Sequence, residues 1–96
     1  MEVIYHPLVK RDITEALNYY DRISTRLADE FQAEMYSIIA QAETNPLRFH
    51  PTQRGFRRAN LRRFPYHVLY EVRADSLRVM HVRHNKRHPD YGMQRQ

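Results

Sequence analysis

Ninety-six residues with a 42% hydrophobic share fit one domain, residues 1–96, and exclude both a second core and a largely disordered chain. The absence of cysteine excludes a disulfide framework and a thiolate metal site, and points to a reducing, cytoplasmic setting. A net charge of +5 and a pI near 9.9 favour a polyanionic or acidic partner. That charge is unevenly placed: residues 1–50 carry 5 Lys+Arg against 8 Asp+Glu (net −3), and residues 51–96 carry 11 against 3 (net +8). Of the 16 basic residues 14 are arginine, whose planar fork binds phosphate and carboxylate in bidentate fashion.

Met1 to Pro7 has neither the basic flank nor the apolar run of a signal peptide, and no apolar run approaches bilayer length, so a soluble chain with no membrane partner is expected. Glu2 to Tyr5 alternates as a first strand. Pro7 suits a first helical turn, and Val9, Ile13, Ala16, Leu17 and Tyr20 form one stripe, which predicts a helix from about Pro7 to Arg22. Ser24 or Thr25 can cap a second helix, whose stripe of Leu27, Ala28, Phe31, Met35, Ile38, Ile39 and Ala42 keeps helical period until Asn45-Pro46 stops it. The short link between the two predicts an antiparallel helical hairpin. The opposite face of the second helix, with Glu30 and Glu34, reads as solvated surface.

Leu47 to Gly55 carries Pro51, Thr52 and Gly55 without periodicity and reads as a loop. From Phe56 the period becomes two. Phe56 to Arg63 is a candidate strand with Ala59 and Leu61 on one side and Arg58, Asn60 and Arg62 on the other. Tyr66 to Val72 is a clearer one, with Tyr66, Val68, Tyr70 and Val72 alternating against His67, Leu69 and Glu71. Ala74-Asp75-Ser76 turns the chain into a last strand from Leu77 to Val82 or His84. The predicted fold is α+β: β-α-α-β-β-β, with an N-terminal helical hairpin on one face of a twisted antiparallel sheet and the other face open.

Arg58, Arg62, Arg63, Arg83, Lys86 and His88 gather near strand ends or that open face, where they can contact a phosphodiester or another acidic target; Tyr66, Tyr70 or Tyr91 can stack on bases. Metal-independent RNA cleavage needs a base, an acid and cations, and His67, His84, His88, Arg87 and Tyr91 supply those types. His81, His84 and His88 invite a metal test. Residues three apart on a strand point to opposite faces, so His81 and His84 do not converge, and neither a metal nor another cofactor is expected.

The element order, the run Arg62-Arg63-Phe64-Pro65-Tyr66-His67-Val68-Leu69-Tyr70-Glu71-Val72, the run Val79 to His84 and the ending Arg87-His88-Pro89-Asp90-Tyr91 together resemble the RelE/ParE superfamily of type II toxin–antitoxin toxins, also called plasmid stabilisation proteins. The resemblance spans nearly the whole chain, including Lys10 to Ile13. It implies a growth-inhibiting toxin held inactive by a cognate antitoxin that wraps the helices and sheet. The RelE-like branch cuts mRNA on the ribosome with basic strand residues, an arginine and a C-terminal tyrosine, positions matched here by Arg87 and Tyr91. His67 stands where that branch usually carries arginine. The ParE-like branch poisons DNA gyrase without known nuclease residues. Three readings follow: a ribosome-dependent ribonuclease with Arg87, His67, Tyr91 and His84 as its catalytic set, a gyrase poison, or a non-toxic RNA-binding module.

Overall fold

The computed structural model describes residues 1–52 and 54–86. Strand β1 is Glu2–Tyr5, helix α1 is Val9–Asp21 and helix α2 is Thr25–Thr44. Strands β2 (His50–Pro51), β3 (Arg57–Asn60), β4 (Tyr66–Val72) and β5 (Ser76–His84) follow. Helix α1 begins at Val9 rather than Pro7, because His6 caps the preceding turn: its Nδ1 accepts the Leu8 N–H (3.1 Å) and its carbonyl the Val9 N–H (2.9 Å). Ser24 sits extended before α2 (φ −164°, ψ 145°) and its Oγ accepts the Leu27 N–H at 3.0 Å, the cap expected of serine. Asn45 ends α2 outside the helical region, as the following Pro46 requires.

The five strands form one sheet in the order β1-β5-β4-β3-β2. The meander β2–β3–β4–β5 is antiparallel, but β1 lies parallel to β5, with Val3 opposite Leu77. The sheet is therefore mixed, not antiparallel throughout: the chain runs through both helices and the meander before β5 returns alongside β1 in the same direction. The loop expected from Leu47 to Gly55 contains β2, two residues too short to show a period and carrying Pro51 on the sheet edge, where a missing N–H is harmless. Gly55 takes φ +80° in the turn that follows, a conformation glycine reaches without strain.

One face of the sheet packs under the helices. Ala28, Phe31, Met35, Ile38, Ile39 and Ala42 of α2 meet Ala59, Val68, Tyr70, Leu77, Val79 and Val82 in the main core. Tyr20, Phe31, Phe64 and Tyr66 form its aromatic end, with ring centroids 5.0–6.0 Å apart in mostly edge-to-face pairs. Leu69 alternates with Val68 and Tyr70 and so turns to the opposite face, where it joins Phe56 and Met80 in a second, smaller buried cluster. His67, His81 and Arg83 are buried as well, so the face expected to be open is closed at its centre. The pairing of β4 and β5 shifts at Leu69/Tyr70: Leu69 faces His81, Tyr70 faces Val79, and Met80 is the extra residue of a bulge.

Candidate functional site

The helix-free face carries one connected polar group. His67 on β4 lies opposite Arg83 on β5, and Asn60 of β3 lies opposite His67. Arg83 Nε–H donates to His67 Nε2 at 2.9 Å. An arginine only donates, so Nε2 holds the lone pair, Nδ1 carries the proton, and Nδ1–H donates to Asn85 Oδ1 at 2.7 Å. Asn85 is held by its own N–H on the Pro65 carbonyl (2.8 Å). Its Oδ1 also accepts from Arg58 Nη2–H at 3.4 Å, and Arg58 Nε–H donates to Asn60 Oδ1 at 2.9 Å.

The electrostatics follow from burial. His67 is 1% exposed, and its pKa is pushed down to about 4, first by the loss of water and then by repulsion from Arg58, Arg83 and His81; the hydrogen bond to Asn85 works the other way. Arg83, 8% exposed, is drawn below the ordinary arginine value by burial and by Arg58. At neutral pH His67 is an uncharged bridge with both ring nitrogens engaged, and Arg58 is the half-buried cation that the bridge steadies at the rim.

The other predicted site residues separate from this group. His84 pairs with Tyr66 and so lies on the helix side, its ring 5.1 Å from that of Tyr66. It borders a cleft of ≈ 200 Å³ with Asp12, Tyr19 and Tyr66, which continues into a groove of ≈ 530 Å³ beside Ile23, Pro65 and Lys86. Its Nδ1 accepts the Lys86 N–H at 3.0 Å. His81 faces Leu69 across the ladder, so His81 and His84 point to opposite faces of β5. Arg87, His88 and Tyr91 lie outside the described residues.

Arg62 and Arg63 do not continue the strand, which ends at Asn60. Their N–H groups donate to the two carboxylate oxygens of Glu34 at 2.5 and 3.2 Å, and the Arg63 guanidinium pairs with Glu30 at 3.1 Å. That hydrogen bond holds the Glu30 carboxyl below its usual range. The α2 face read as solvated surface thus fastens the β3–β4 connection. Nor is Tyr70 available to stack on a base: it is 0% exposed and its hydroxyl donates to the Pro46 carbonyl at 2.6 Å. Tyr66 is packed among Tyr20, Phe31 and His84. The sequence reading missed Asn85 and Glu34. An asparagine directly after the last strand, and acids four apart on a helix flank above an Arg-Arg pair, were the available signals.

Comparison with known proteins agrees with this architecture. The family model described as "ParE toxin of type II toxin-antitoxin system, parDE" matches residues 3–89. A solved structure described as "Chromosomal ParDE TA system from P. aeruginosa" superimposes with a TM-score of 0.71 at 16% identity, over 88% of this chain and 95% of that one. At that identity the likeness speaks for the fold. None of the curated protein sequences matches the chain. No helix among the described residues is long and apolar enough to cross a membrane. With the family model spanning residues 3–89 of 96, the chain belongs to the ParE toxin family: it is the toxin of a type II toxin–antitoxin system, neutralised by a cognate antitoxin.

Proposed function

We propose that this toxin acts by binding rather than by cutting RNA, and that its target is DNA gyrase. The observation that carries the reading is His67, the one predicted catalytic residue at the centre of the helix-free face. A general base needs a free lone pair near a reachable proton and a pKa near the working pH. The Nε2 lone pair of His67 is taken by Arg83, its ring is buried, and its pKa is held at about 4. His84 cannot complete an acid–base pair with it, because the sheet stands between them. A rigid face that presents charge without proton transfer suits a poison that grips a protein–DNA complex. Membership of a toxin family displaces the plain RNA-binding module.

The test is regulated expression of the toxin without its antitoxin, with plasmid supercoiling and mRNA integrity followed in the same cultures. The expected result is a supercoiling defect that precedes any loss of mRNA. Transcripts cut within reading frames while supercoiling stays normal would return the protein to the ribosome-directed branch.

A further inference from the structure

The arginines of this chain divide by their partners. Arg11, Arg26, Arg63, Arg73 and Arg78 each pair with a glutamate within 4.0 Å. Among the described residues Arg22, Arg48, Arg57, Arg58 and Arg62 have no carboxylate within that distance; Arg22 is held by the Asn18 carbonyl and Arg57 by those of Leu47 and Phe49, which leaves Arg48, Arg58 and Arg62. Two of them, Arg48 and Arg62, flank the end of β3 that β2 leaves unpaired, since β2 covers only Arg57 and Arg58. A groove of ≈ 320 Å³ runs there between α2 and the β3 end, with Arg48 and Arg62 in its walls and Ser37, Gln41 and Asn60 between them. Arg58 lies on the same side of β3 as Asn60 and adjoins the groove through its hydrogen bond to the Asn60 Oδ1.

The one acid lining the groove, Glu34, keeps its charge but is turned to the Arg62 and Arg63 amides and forms no ion pair with the Arg48 or Arg62 guanidinium. Arg48 lies over the Phe49 ring, its Cζ 5.5 Å from the centroid, a cation–π contact at the groove wall. Guanidinium groups that line one groove without an ion-pair partner keep their forks open to an oxyanion, which they bind in bidentate fashion.

We propose that this groove grips the phosphodiester backbone of duplex DNA, with Arg48 and Arg62 on the phosphates and Arg58 reinforcing them from the adjoining face. Arginine, serine, glutamine and asparagine are the side chains that contact phosphate and sugar. An acidic protein segment would need apolar anchor pockets, but Ile38 is already buried in the core and Phe49 is packed against it. A single strand would need a free aromatic face for base stacking, and the groove's one ring lies under Arg48. The phosphate grip stands on the groove alone; the choice of DNA over RNA rests on the gyrase reading.

The full-length toxin is titrated into a fluorescein-labelled DNA duplex over a range of salt concentrations, and anisotropy reads the binding. Arg48→Gln with Arg62→Gln is compared with Arg11→Gln with Arg26→Gln, which removes equal charge from ion-paired surface sites. The groove variant should lose about 10- to 100-fold in affinity and lower the salt slope by roughly 2, while the control stays within about threefold. All four side chains are exposed, so circular dichroism should show both variants folded. Equal losses in the two variants, or none in the groove variant, would overturn the site. Intact DNA affinity with weakened antitoxin binding would reassign the groove to an acidic protein. Tighter binding to an RNA duplex of the same sequence would overturn DNA as the occupant. No gyrase is present, so this outcome is read separately from the supercoiling assay.

Discussion

Acid should strike this protein first at His67. The folded ring titrates near 4, against 6.5 for an ordinary histidine. Between those values the unfolded chain binds a proton that the native state refuses, so stability rises with pH through the window. The contribution of the neutral ring is complete above pH 6.5, falls as pH drops through the window, and is lost below about pH 4. At about 1.4 kcal/mol per unit, the loss is about 2 kcal/mol at about pH 5 and about 3 kcal/mol at about pH 4. Because the ring is buried, solvent screening does not reduce this figure. Protonation would also set a charged Nε2–H against the Arg83 guanidinium and break their hydrogen bond. The measurement is urea unfolding of the wild type and of His67→Gln, whose amide can still accept from Arg83 and donate to Asn85 without titrating. The wild type should lose about 2 kcal/mol more than the variant between about pH 7.5 and about pH 5. Parallel stability curves over that range would refute the reasoning, since carboxylates are common to both proteins.

Three further outcomes follow from contacts at the edges of the core. Glu34→Ala removes the acceptor of two amides and should lower stability by about 1–3 kcal/mol in urea titrations, where a true solvated acid would change it by less than about 0.5 kcal/mol. Tyr70→Phe leaves the ring packing intact and strips only the bond to the Pro46 carbonyl, so its cost should be about 1–2 kcal/mol, with no change in circular dichroism. Ser24→Ala should cost about 1 kcal/mol in thermal unfolding, and Ser24→Asp should restore most of it.

What could be read from the sequence was whatever depends on neighbours along the chain. The stripe of α2, its serine cap, its stop before Pro46 and the alternation of β4 are local patterns, and each appears where the periods place it. The parallel partnership of β1 depends on a strand more than seventy residues later, and β2 exists only because β3 lies beside it. The site followed the same division. Arg58 and Asn60 were legible as sharing a side of one strand. The chemistry of His67 was not, because a histidine reads as a proton carrier until its burial and its partners, Arg83 and Asn85, are known. Glu34 looked like solvent-facing charge because its partners are main-chain amides, which no side-chain pattern reveals.

The extra residue in β5 sets the phase of everything beyond it. Leu77 and Val79 point to the helices at odd positions, but after Met80 the even-numbered Val82 takes that duty. In an unbroken ladder Arg83 would instead oppose Tyr66 and drive a cation into the aromatic end of the core, while Val82 would sit against His67. One inserted methionine thereby moves a charge from the aromatic core to the buried polar network of the opposite face, where His67 accepts from it. Removing Met80 would leave composition and length almost untouched yet invert the terminal segment of β5, so the interior and the polar network would fail together. For this fold the spacing of the last strand decides which side chains face the core and which the polar network, separate from the identity of any residue on it.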